Sequence, residues 1–405
     1  MEVTAMLSQV QLARQRIRDF ISYTPCQYSA DLSGMTGQQV YLKLDNLQRT
    51  GAFKERGALN KILLLTEEEK RRGIVAASAG NHAQAVAYHA TERGIHAQIV
   101  MPLMTPLVKV SATQGFGADV ILYGANYDEA YAEAVRRSAE QGMTFLHPFD
   151  DLAVIHGQGT IALELLEQIP DMEAVVVPIG GGGLISGVAG ALKESNPKIR
   201  VIGVQTERLP SMLQACKAGK PVTLPAEATI ADGIAVRRAG DLTLPFVQRY
   251  VDEMVTVDEE EIASAILVLL EREKTLAEGA GAVALAALLH KKTSLTTQRT
   301  AVLVCGGNID VSLLARIIER GLVKDGRRVR IRVHLSDRPG ALLALTKILA
   351  DQQANIVETL HNRAHYGVNL GDTVIDITLE ARGPAHIQAI SAALHEGGYK
   401  FERIP

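Results

Sequence analysis

The sequence predicts an α/β protein with open, mainly parallel sheets flanked by helices, followed by a separate module of βαββαβ order. Segments with strand and helix patterns alternate from about residue 38 to residue 305, which is typical of βαβ units and a parallel sheet. The pattern changes after Leu322, and the polar residues 324–327 read as a linker. The 405 residues are 47% hydrophobic and 21% charged, a composition that supports a large buried core.

The elements of the first part follow from short apolar runs and from apolar residues at helical spacing. Residues 1–18 have the pattern of an amphipathic helix, and residues 38–44 alternate as a strand does. A helix is expected over residues 54–66, starting at Lys54. Further strands are expected at 73–78, 95–101, 118–123, 174–178, 200–205, 254–257 and 301–305, and further helices at 81–93, 106–115, 126–142, 156–169, 184–195, 258–273 and 280–290.

The last part of the chain has a different order of elements. Residues 328–335 alternate between polar and apolar side chains, which predicts a strand with one wet face. The predicted domains are residues 1–323 and 328–405, joined by the linker 324–327. A ferredoxin-like βαββαβ order is completed by a helix over 339–351, strands at 355–362 and 373–379, a helix over 385–396 and a strand at 399–404.

Composition and charge argue against several classes of protein. The net charge is −3 and no long basic run occurs, so a nucleic-acid partner is not expected. No stretch of about 18 residues is free of charges or breaks, and residues 1–18 lack a signal-peptide pattern, so no membrane span or signal peptide is expected. Cys26, Cys216 and Cys305 lie far apart without metal-binding spacing, which favours a cytoplasmic protein without a metal site.

One lysine, Lys54, lies within a run of small residues. Glycine and alanine precede it at positions 51 and 52 and follow it at 57 and 58, which leaves room for a bulky group against its amine. The neighbouring Phe53 offers a ring that would pack on a flat group. A lysine in a partly apolar pocket has a lowered pKa and becomes a usable nucleophile or base. The alternative, from this run alone, is a solvated lysine at the start of a helix.

A tetraglycine loop follows an apolar strand and opens the next helix; it comprises Gly180, Gly181, Gly182 and Gly183. Backbone N–H groups at such a helix start bind phosphate, and the helix dipole favours the anion. A turn without a ligand explains the same pattern. A dinucleotide-binding loop is a further alternative, since Glu207 lies at a suitable distance, but Ser186 stands where that fingerprint has glycine or alanine. A cofactor with a single phosphate fits better.

Two other strand ends carry glycine and polar residues. Residues 78–82 (Ser-Ala-Gly-Asn-His) suit a carboxylate, although a capped turn without a ligand explains them equally. Residues 304–308 (Val-Cys-Gly-Gly-Asn) end a strand where ligands gather in open α/β sheets. A lone buried cysteine is alternatively a small hydrophobe. A lysine loop, a phosphate loop and a carboxylate loop together indicate pyridoxal phosphate (PLP) and an amino-acid substrate.

Four motifs in this order make the chain, over about residues 5–320, similar to the fold-type-II PLP enzymes, and among them it resembles the threonine dehydratases. The resemblance implies two twisted, mainly parallel sheets, with a small subdomain of roughly residues 56–150 inserted in the large one. It implies that Lys54 carries the cofactor, that Asn81 contacts its 3-hydroxyl group, and that Cys305, often serine in the family, faces the pyridine nitrogen. The phosphate would be bound by Gly180, Gly181, Gly182, Gly183 and Leu184, and the substrate by Ser78, Ala79, Gly80, Asn81 and His82.

The resemblance implies β-elimination, in which the amine of Lys54 removes the Cα proton of L-threonine and the β-hydroxyl group leaves. The products would be 2-oxobutanoate and ammonia, and L-serine would give pyruvate. The neutral Cys305 would leave the pyridine nitrogen unprotonated, which suits prompt loss of the leaving group. The rival within the family is serine racemase, which has a serine at the place of Ala79 and metal-binding carboxylates at the places of Gln205 and Ser211.

The tail resembles an ACT regulatory module, in which residues 335–342 would form the turn that binds a small effector. The resemblance implies a homodimer or homotetramer, with an amino acid or a nucleotide as effector; isoleucine or valine would follow from a role in isoleucine biosynthesis. A plain dimerisation module is the alternative. Outside this class, a nucleotide-binding oxidoreductase and an inactive amino-acid sensor remain. The candidate effector-binding residues are Arg338, Pro339, Gly340 and Ala341.

Overall fold

The computed structural model describes residues 6–296, 298–362 and 371–404. The chain forms two compact units, Met1–Ile309 and Asp310–Pro405. The N-terminal helix runs from Met6 to Ile17, and the residues before it, over which the helix was also predicted, lie outside the described ranges. Among the helices that the structure describes, none is long and apolar enough to span a membrane.

The first unit is built from strands that alternate with helices, as expected. Its strands are β1 (Cys26–Ser29), β2 (Gln39–Leu44), β3 (Ile74–Ala77), β4 (Ala97–Met101), β5 (Asp119–Leu122), β6 (Thr144–Phe145), β7 (Ala174–Pro178), β8 (Arg200–Thr206), β9 (Glu253–Val257) and β10 (Arg299–Val304). Its helices are α1 (Met6–Ile17), α2 (Ala30–Thr36), α3 (Lys54–Leu63), α4 (Glu67–Arg72), α5 (Asn81–Thr91), α6 (Leu107–Gly115), α7 (Tyr127–Gln141), α8 (Leu152–Gln168), α9 (Gly183–Ser195), α10 (Ser211–Ala218), α11 (Thr243–Tyr250), α12 (Glu259–Glu271) and α13 (Gly279–Leu289).

Two sheets organise this unit, and both are mainly parallel, which confirms the predicted fold class. The larger sheet has the order β1-β2-β10-β7-β8-β9, and only the β1–β2 pair is antiparallel. The smaller sheet has the order β5-β4-β3-β6 and is parallel throughout. Because β10 and β7 are parallel neighbours, the stretch that follows β10 and the glycine loop that follows β7 lie at the same edge of the larger sheet.

The helix predicted over residues 54–66 is shorter in the structure and ends at Leu63. A second helix, α4, begins directly afterwards, because Thr66 and Glu69 form a reciprocal capping box at its start. All six residues of α4 are charged, so no apolar periodicity marks it in the sequence. Other elements of this unit that were not predicted are β1, β6, α2, α10 and α11.

The second unit contains an antiparallel sheet in the predicted βαββαβ order. Along its first strand Val329, Ile331, Val333 and Leu335 are buried and the residues between them are half-exposed, which confirms the predicted wet face. The sheet order is β12-β13-β11-β14, as in a ferredoxin-like fold. The elements are α14 (Val311–Lys324), β11 (Arg328–Ser336), α15 (Ala341–Asp351), β12 (Asn355–Asn362), β13 (Asp372–Glu380), α16 (Pro384–Glu396) and β14 (Lys400–Ile404).

Candidate active site

The loop before helix α3 brings Lys54 to the edge of the larger sheet. The N–H of Gly307 donates to the carbonyl oxygen of Gly51 over 2.9 Å, which joins this loop to the stretch after β10. Gly51 has a left-handed φ of +75°, and a Cβ atom there would overlap the side chain of Asn308. Glycine is therefore required at this position. The structure thus brings together two stretches that the sequence separates by about 250 residues.

The amine of Lys54 is the candidate reactive group at this edge. Its Nζ atom donates to the carbonyl oxygen of Pro148 over 2.8 Å and lies 5.2 Å from the centre of the Phe53 ring. Burial lowers the pKa of this amine to about 8. A much larger fraction of Lys54 is therefore neutral near pH 7–8 than of an ordinary lysine, and the neutral amine is the form that attacks a carbonyl carbon or takes a proton.

The tetraglycine loop forms a cradle that has no room for side chains. Gly182 has a left-handed φ of +100°, and Cβ atoms at Gly181 and Gly183 would overlap Phe149. Helix α9 begins within the loop, so its first N–H groups have no acceptor inside the helix and its positive dipole end lies here. This bare backbone fits the phosphate group of PLP. Leu184, the next residue, is buried beside the loop.

A segment that the sequence did not single out connects the glycine loop to the lysine. Pro148 accepts the hydrogen bond from Lys54, and the ring of the next residue, Phe149, lies against Gly181. The carboxylate of Asp150 accepts hydrogen bonds of 2.9–3.2 Å from three backbone N–H groups at the start of helix α11. These contacts fix the position of the Lys54 amine relative to the glycine loop.

The predicted carboxylate loop connects β3 to α5 in the smaller sheet. The hydroxyl oxygen of Ser78 accepts a hydrogen bond of 3.2 Å from the N–H of Gly80, and Ala79 packs against the core of this sheet. His82 is 3% exposed, and its Nε2 atom donates to the carbonyl oxygen of Leu146 over 2.9 Å. Burial lowers the pKa of His82 to about 3, so its ring is neutral. The loop therefore presents backbone and hydroxyl groups rather than a cationic side chain.

Asn81 begins helix α5, and both ends of its side-chain amide are hydrogen-bonded. Its Nδ2 atom donates to Oε1 of Glu278 over 2.7 Å, and its Oδ1 atom accepts from Nδ2 of Asn308 over 2.8 Å. Burial, followed by the charge of Asp232, raises the pKa of the Glu278 carboxyl group to about 7. Glu278 is not among the residues that the sequence motifs indicate. The available signal was an acidic residue directly before residues 279–282 (Gly-Ala-Gly-Ala), which open a buried helix.

Cys305 follows strand β10 and is 2% exposed. Its Sγ atom donates to the carbonyl oxygen of Ala280 over 3.5 Å. Burial raises the pKa of this thiol above its usual value, so Cys305 remains a neutral thiol at physiological pH. The residue therefore lies at the strand end where the resemblance places the partner of a pyridine nitrogen, and it has the neutral charge expected there.

The two positions compared with the metal site of a racemase are occupied by neutral side chains. Gln205 is buried and accepts a hydrogen bond of 2.9 Å from the N–H of Leu213. Ser211 is fully buried at the start of helix α10. Within residues 6–296, 298–362 and 371–404 no group of three His, Cys, Asp or Glu side chains is arranged to hold a metal ion.

Comparisons with known proteins identify the family of this chain. A family model described as "Pyridoxal-phosphate dependent enzyme" matches residues 17–306. The L-threonine ammonia-lyase of Thermotoga maritima is 50% identical over 398 residues, which cover 98% of this chain and 99% of that protein. The processed form of threonine deaminase isoform 2 from Solanum lycopersicum has a TM-score of 0.74 and 37% identity over 78% of this chain and 86% of that one. Maize serine racemase also has a TM-score of 0.74, with 38% identity over 78% and 98% of the two chains.

The chain belongs to the family of pyridoxal-phosphate-dependent enzymes, and its two parallel sheets are those of fold type II. The lysine loop, the glycine cradle and the strand-end cysteine are the parts of the fold that fit this cofactor. Membership of this family argues against the alternative of a nucleotide-binding oxidoreductase, which the glycine loop alone left open.

Proposed function

We propose that this protein is an L-threonine ammonia-lyase, which converts L-threonine to 2-oxobutanoate and ammonia. The Thermotoga maritima relative, which aligns over nearly the whole chain, has that name. The structural observation that carries the proposal is the partly buried, weakly basic amine of Lys54, at the edge where the strand-end loops meet. The test is incubation of the purified protein with L-threonine, in which 2-oxobutanoate and ammonia should appear in equal amounts. Absence of both products from PLP-loaded protein would contradict the proposal.

PLP, when bound, supplies an electron sink that makes the bonds at the Cα atom of an amino acid easier to break. Lys54, whose amine is neutral enough to react, would hold the cofactor covalently. Phe53 would pack on the face of its ring, Asn81 would contact its 3-hydroxyl group, and the neutral thiol of Cys305 would face its pyridine nitrogen. The N–H groups of Gly180, Gly181, Gly182, Gly183 and Leu184 would bind its phosphate.

Different residues bind the substrate carboxylate, position the loop that binds it and remove the Cα proton. The N–H groups at the start of helix α5 and the hydroxyl of Ser78 bind the carboxylate. His82, neutral and bonded to Leu146, holds this loop in position. Lys54, in its neutral form, removes the Cα proton, and the β-hydroxyl group leaves as water when that proton is passed to it. The released enamine takes up one water molecule and yields 2-oxobutanoate and ammonia, so the atoms of L-threonine are conserved overall.

Elimination is favoured over racemisation by the residue at position 79. A racemase needs a proton donor on the opposite face of the substrate, and Ala79 offers a methyl group. With L-serine, pyruvate should form about a hundredfold faster than D-serine, because a positioned acid or base contributes about that factor. A coupled pyruvate assay and chiral chromatography of serine measure the two products.

The matched variant for this prediction is Ala79→Ser, which should raise D-serine formation relative to pyruvate. A chelator should leave both rates unchanged, because Gln205 and Ser211 are poor ligands for a divalent cation compared with carboxylates. Equal rates of pyruvate and D-serine formation in the unmodified enzyme would favour the racemase.

The second unit is proposed to bind a small effector at the turn between β11 and α15. Arg338, Pro339 and Gly340 are exposed in this turn, and Gly340 has a left-handed φ of +89°. The N–H of Ala341 donates to the carbonyl oxygen of Arg338 over 3.3 Å, so the following N–H groups of α15 are the ones offered to a ligand. An amino-acid carboxylate, as of isoleucine or valine, or a nucleotide phosphate suits such a helix start.

Deletion of residues 325–405 should leave an active enzyme that no longer responds to the effector. A regulator changes activity by binding one state better than another, typically by about 1–3 kcal/mol, and removal of its site removes that preference. Initial rates of the full and shortened chains are compared over branched-chain amino acids and nucleotides. An equal response of both chains would place the effector site in the first unit and leave dimerisation as the role of the tail.

The chain is further proposed to form a homodimer or homotetramer in the cytoplasm. A reducing compartment is supported by Cys26, Cys216 and Cys305, all of which carry free thiols. Light scattering of the purified protein measures the number of chains in the assembly.

A further inference from the structure

We propose that Glu278 and Asn308 are positioning residues that fix the orientation of the Asn81 side-chain amide, so that this amide offers an N–H donor to the cofactor ring. This assignment rests on the proposed function of Asn81 and names the two residues that act through it. Neither residue is proposed to contact the reacting atoms.

The direction of the hydrogen bonds is fixed at the Asn308 end of this chain of contacts. Nδ2 of Asn308 donates to the carbonyl oxygen of Thr50 over 2.7 Å and to Oδ1 of Asn81 over 2.8 Å. A backbone carbonyl oxygen only accepts, so the amide of Asn308 has one allowed orientation. The N–H group of Asn308 that faces Asn81 therefore needs an acceptor, which is the Oδ1 atom of Asn81. The Nδ2 atom of Asn81 then lies on the opposite side of the amide, where it donates to Oε1 of Glu278 over 2.7 Å.

The amide of Asn81 therefore has its oxygen turned towards Asn308 and one N–H group that Glu278 does not use. An Asn side chain has two N–H donors on one nitrogen, and one of them is used by Glu278. A ligand atom that meets this N–H group is then a hydrogen-bond acceptor, such as a deprotonated ring oxygen. If the amide of Asn81 were turned over, its oxygen would face the carboxyl group of Glu278 and its nitrogen would face the N–H donor of Asn308. Both hydrogen bonds of the observed orientation would then be lost.

The carboxyl group of Glu278 is held in its position by the packing around it. The residue is 5% exposed, and its own N–H donates to the carbonyl oxygen of Gly306 over 3.1 Å. A Cβ atom at Gly306 would overlap this carboxyl group, and one at Gly233 would lie 3.2 Å from Oε1. The absence of side chains at these two glycines makes room for the carboxyl group, and the close packing around it restricts its orientation.

The contact also joins the two sheets. Asn81 starts a helix of the smaller sheet, whereas Glu278 directly precedes α13, which packs on the larger sheet, and 197 residues separate them. The cofactor group bound by Asn81 is thus oriented by the same sheet that carries the glycine cradle.

A double-mutant cycle on the PLP-loaded full chain tests this inference. Glu278→Ala and Asn81→Ala are each expected to speed release of PLP from the holoenzyme about tenfold, because each leaves a buried polar group without its partner. The double variant should release PLP no faster than the faster single variant, since Glu278 acts through Asn81. Loss of the visible absorption band on dilution into a PLP trap gives the rate, without any substrate.

The conservative variant Glu278→Gln keeps an acceptor oxygen towards Asn81 and should restore slow release. Its visible spectrum should change less with pH between 6 and 8 than that of the unmodified enzyme, because the carboxyl group with a pKa of about 7 is gone. If Glu278→Ala does not fold, Asn308→Ala replaces it in the cycle. Glu194→Ala is the control for stability alone, since this carboxylate accepts hydrogen bonds from Leu7 and Tyr250.

Additive effects in the double variant, or a lowered melting temperature with unchanged PLP release, would overturn the inference and make Glu278 a purely structural residue. Non-additive effects support it. A holoenzyme that shows this coupling but does not turn over L-threonine would refute the proposed function and leave the positioning role intact.

Discussion

Replacement of Lys54 by alanine is expected to lower the turnover of L-threonine by roughly 10⁴-fold or more, because the change removes both the covalent attachment point and the base that takes the Cα proton. The variant should also lose the borohydride-dependent label that a lysine-bound PLP leaves on the protein. Steady-state kinetics and peptide mapping after borohydride reduction measure the two effects.

Lys61→Ala is the matched control, since Lys61 lies on the same helix and its Nζ atom pairs with Asp151 at 2.8 Å. It should retain both the label and nearly full activity. A label that persists in Lys54→Ala, or that maps to another lysine in the unmodified enzyme, would show that the attachment point lies elsewhere.

Replacement of Arg56 by methionine is expected to lower the free energy of unfolding of the first unit by about 3–5 kcal/mol. Arg56 is fully buried and pairs with Asp45 at 2.7 Å and with Glu164 at 2.6 Å, and Lys43 adds a second cation to the same cluster. Without the guanidinium group, two buried carboxylates face one ammonium group and are left partly uncompensated. Urea unfolding followed by circular dichroism measures the change.

The control for this prediction is Arg14→Met, which removes an arginine from a pair that is partly open to solvent. Arg14 and Glu167 have side chains that are 31% and 49% exposed, and such pairs contribute about 1 kcal/mol or less. If the two variants unfolded at the same urea concentration, burial would not be what makes the Arg56 cluster important. Arg56 is two residues from Lys54, so the variant should also bind PLP less tightly.

The amino-acid sequence by itself determined the alternation of strands and helices, the change of order after residue 322, and the stretches that form the site. Periodic apolar residues and glycine-rich strand ends are local signals, and they predict a parallel sheet with ligands at its carboxyl edge. The lysine loop, the tetraglycine loop and the stretch that contains Cys305 were recognised in this way, and the structure brings them to one edge.

Only the tertiary structure decided which groups surround those stretches. Pro148 as the acceptor for Lys54, Phe149 against Gly181, and Glu278 as the partner of Asn81 all join residues that lie far apart in the chain. No periodicity in the sequence encodes such pairs, because they depend on how the two sheets pack and on which side chains lie next to each other in the folded chain. The pKa values near 8 for Lys54 and near 7 for Glu278 are set by burial, which exists only in the folded chain.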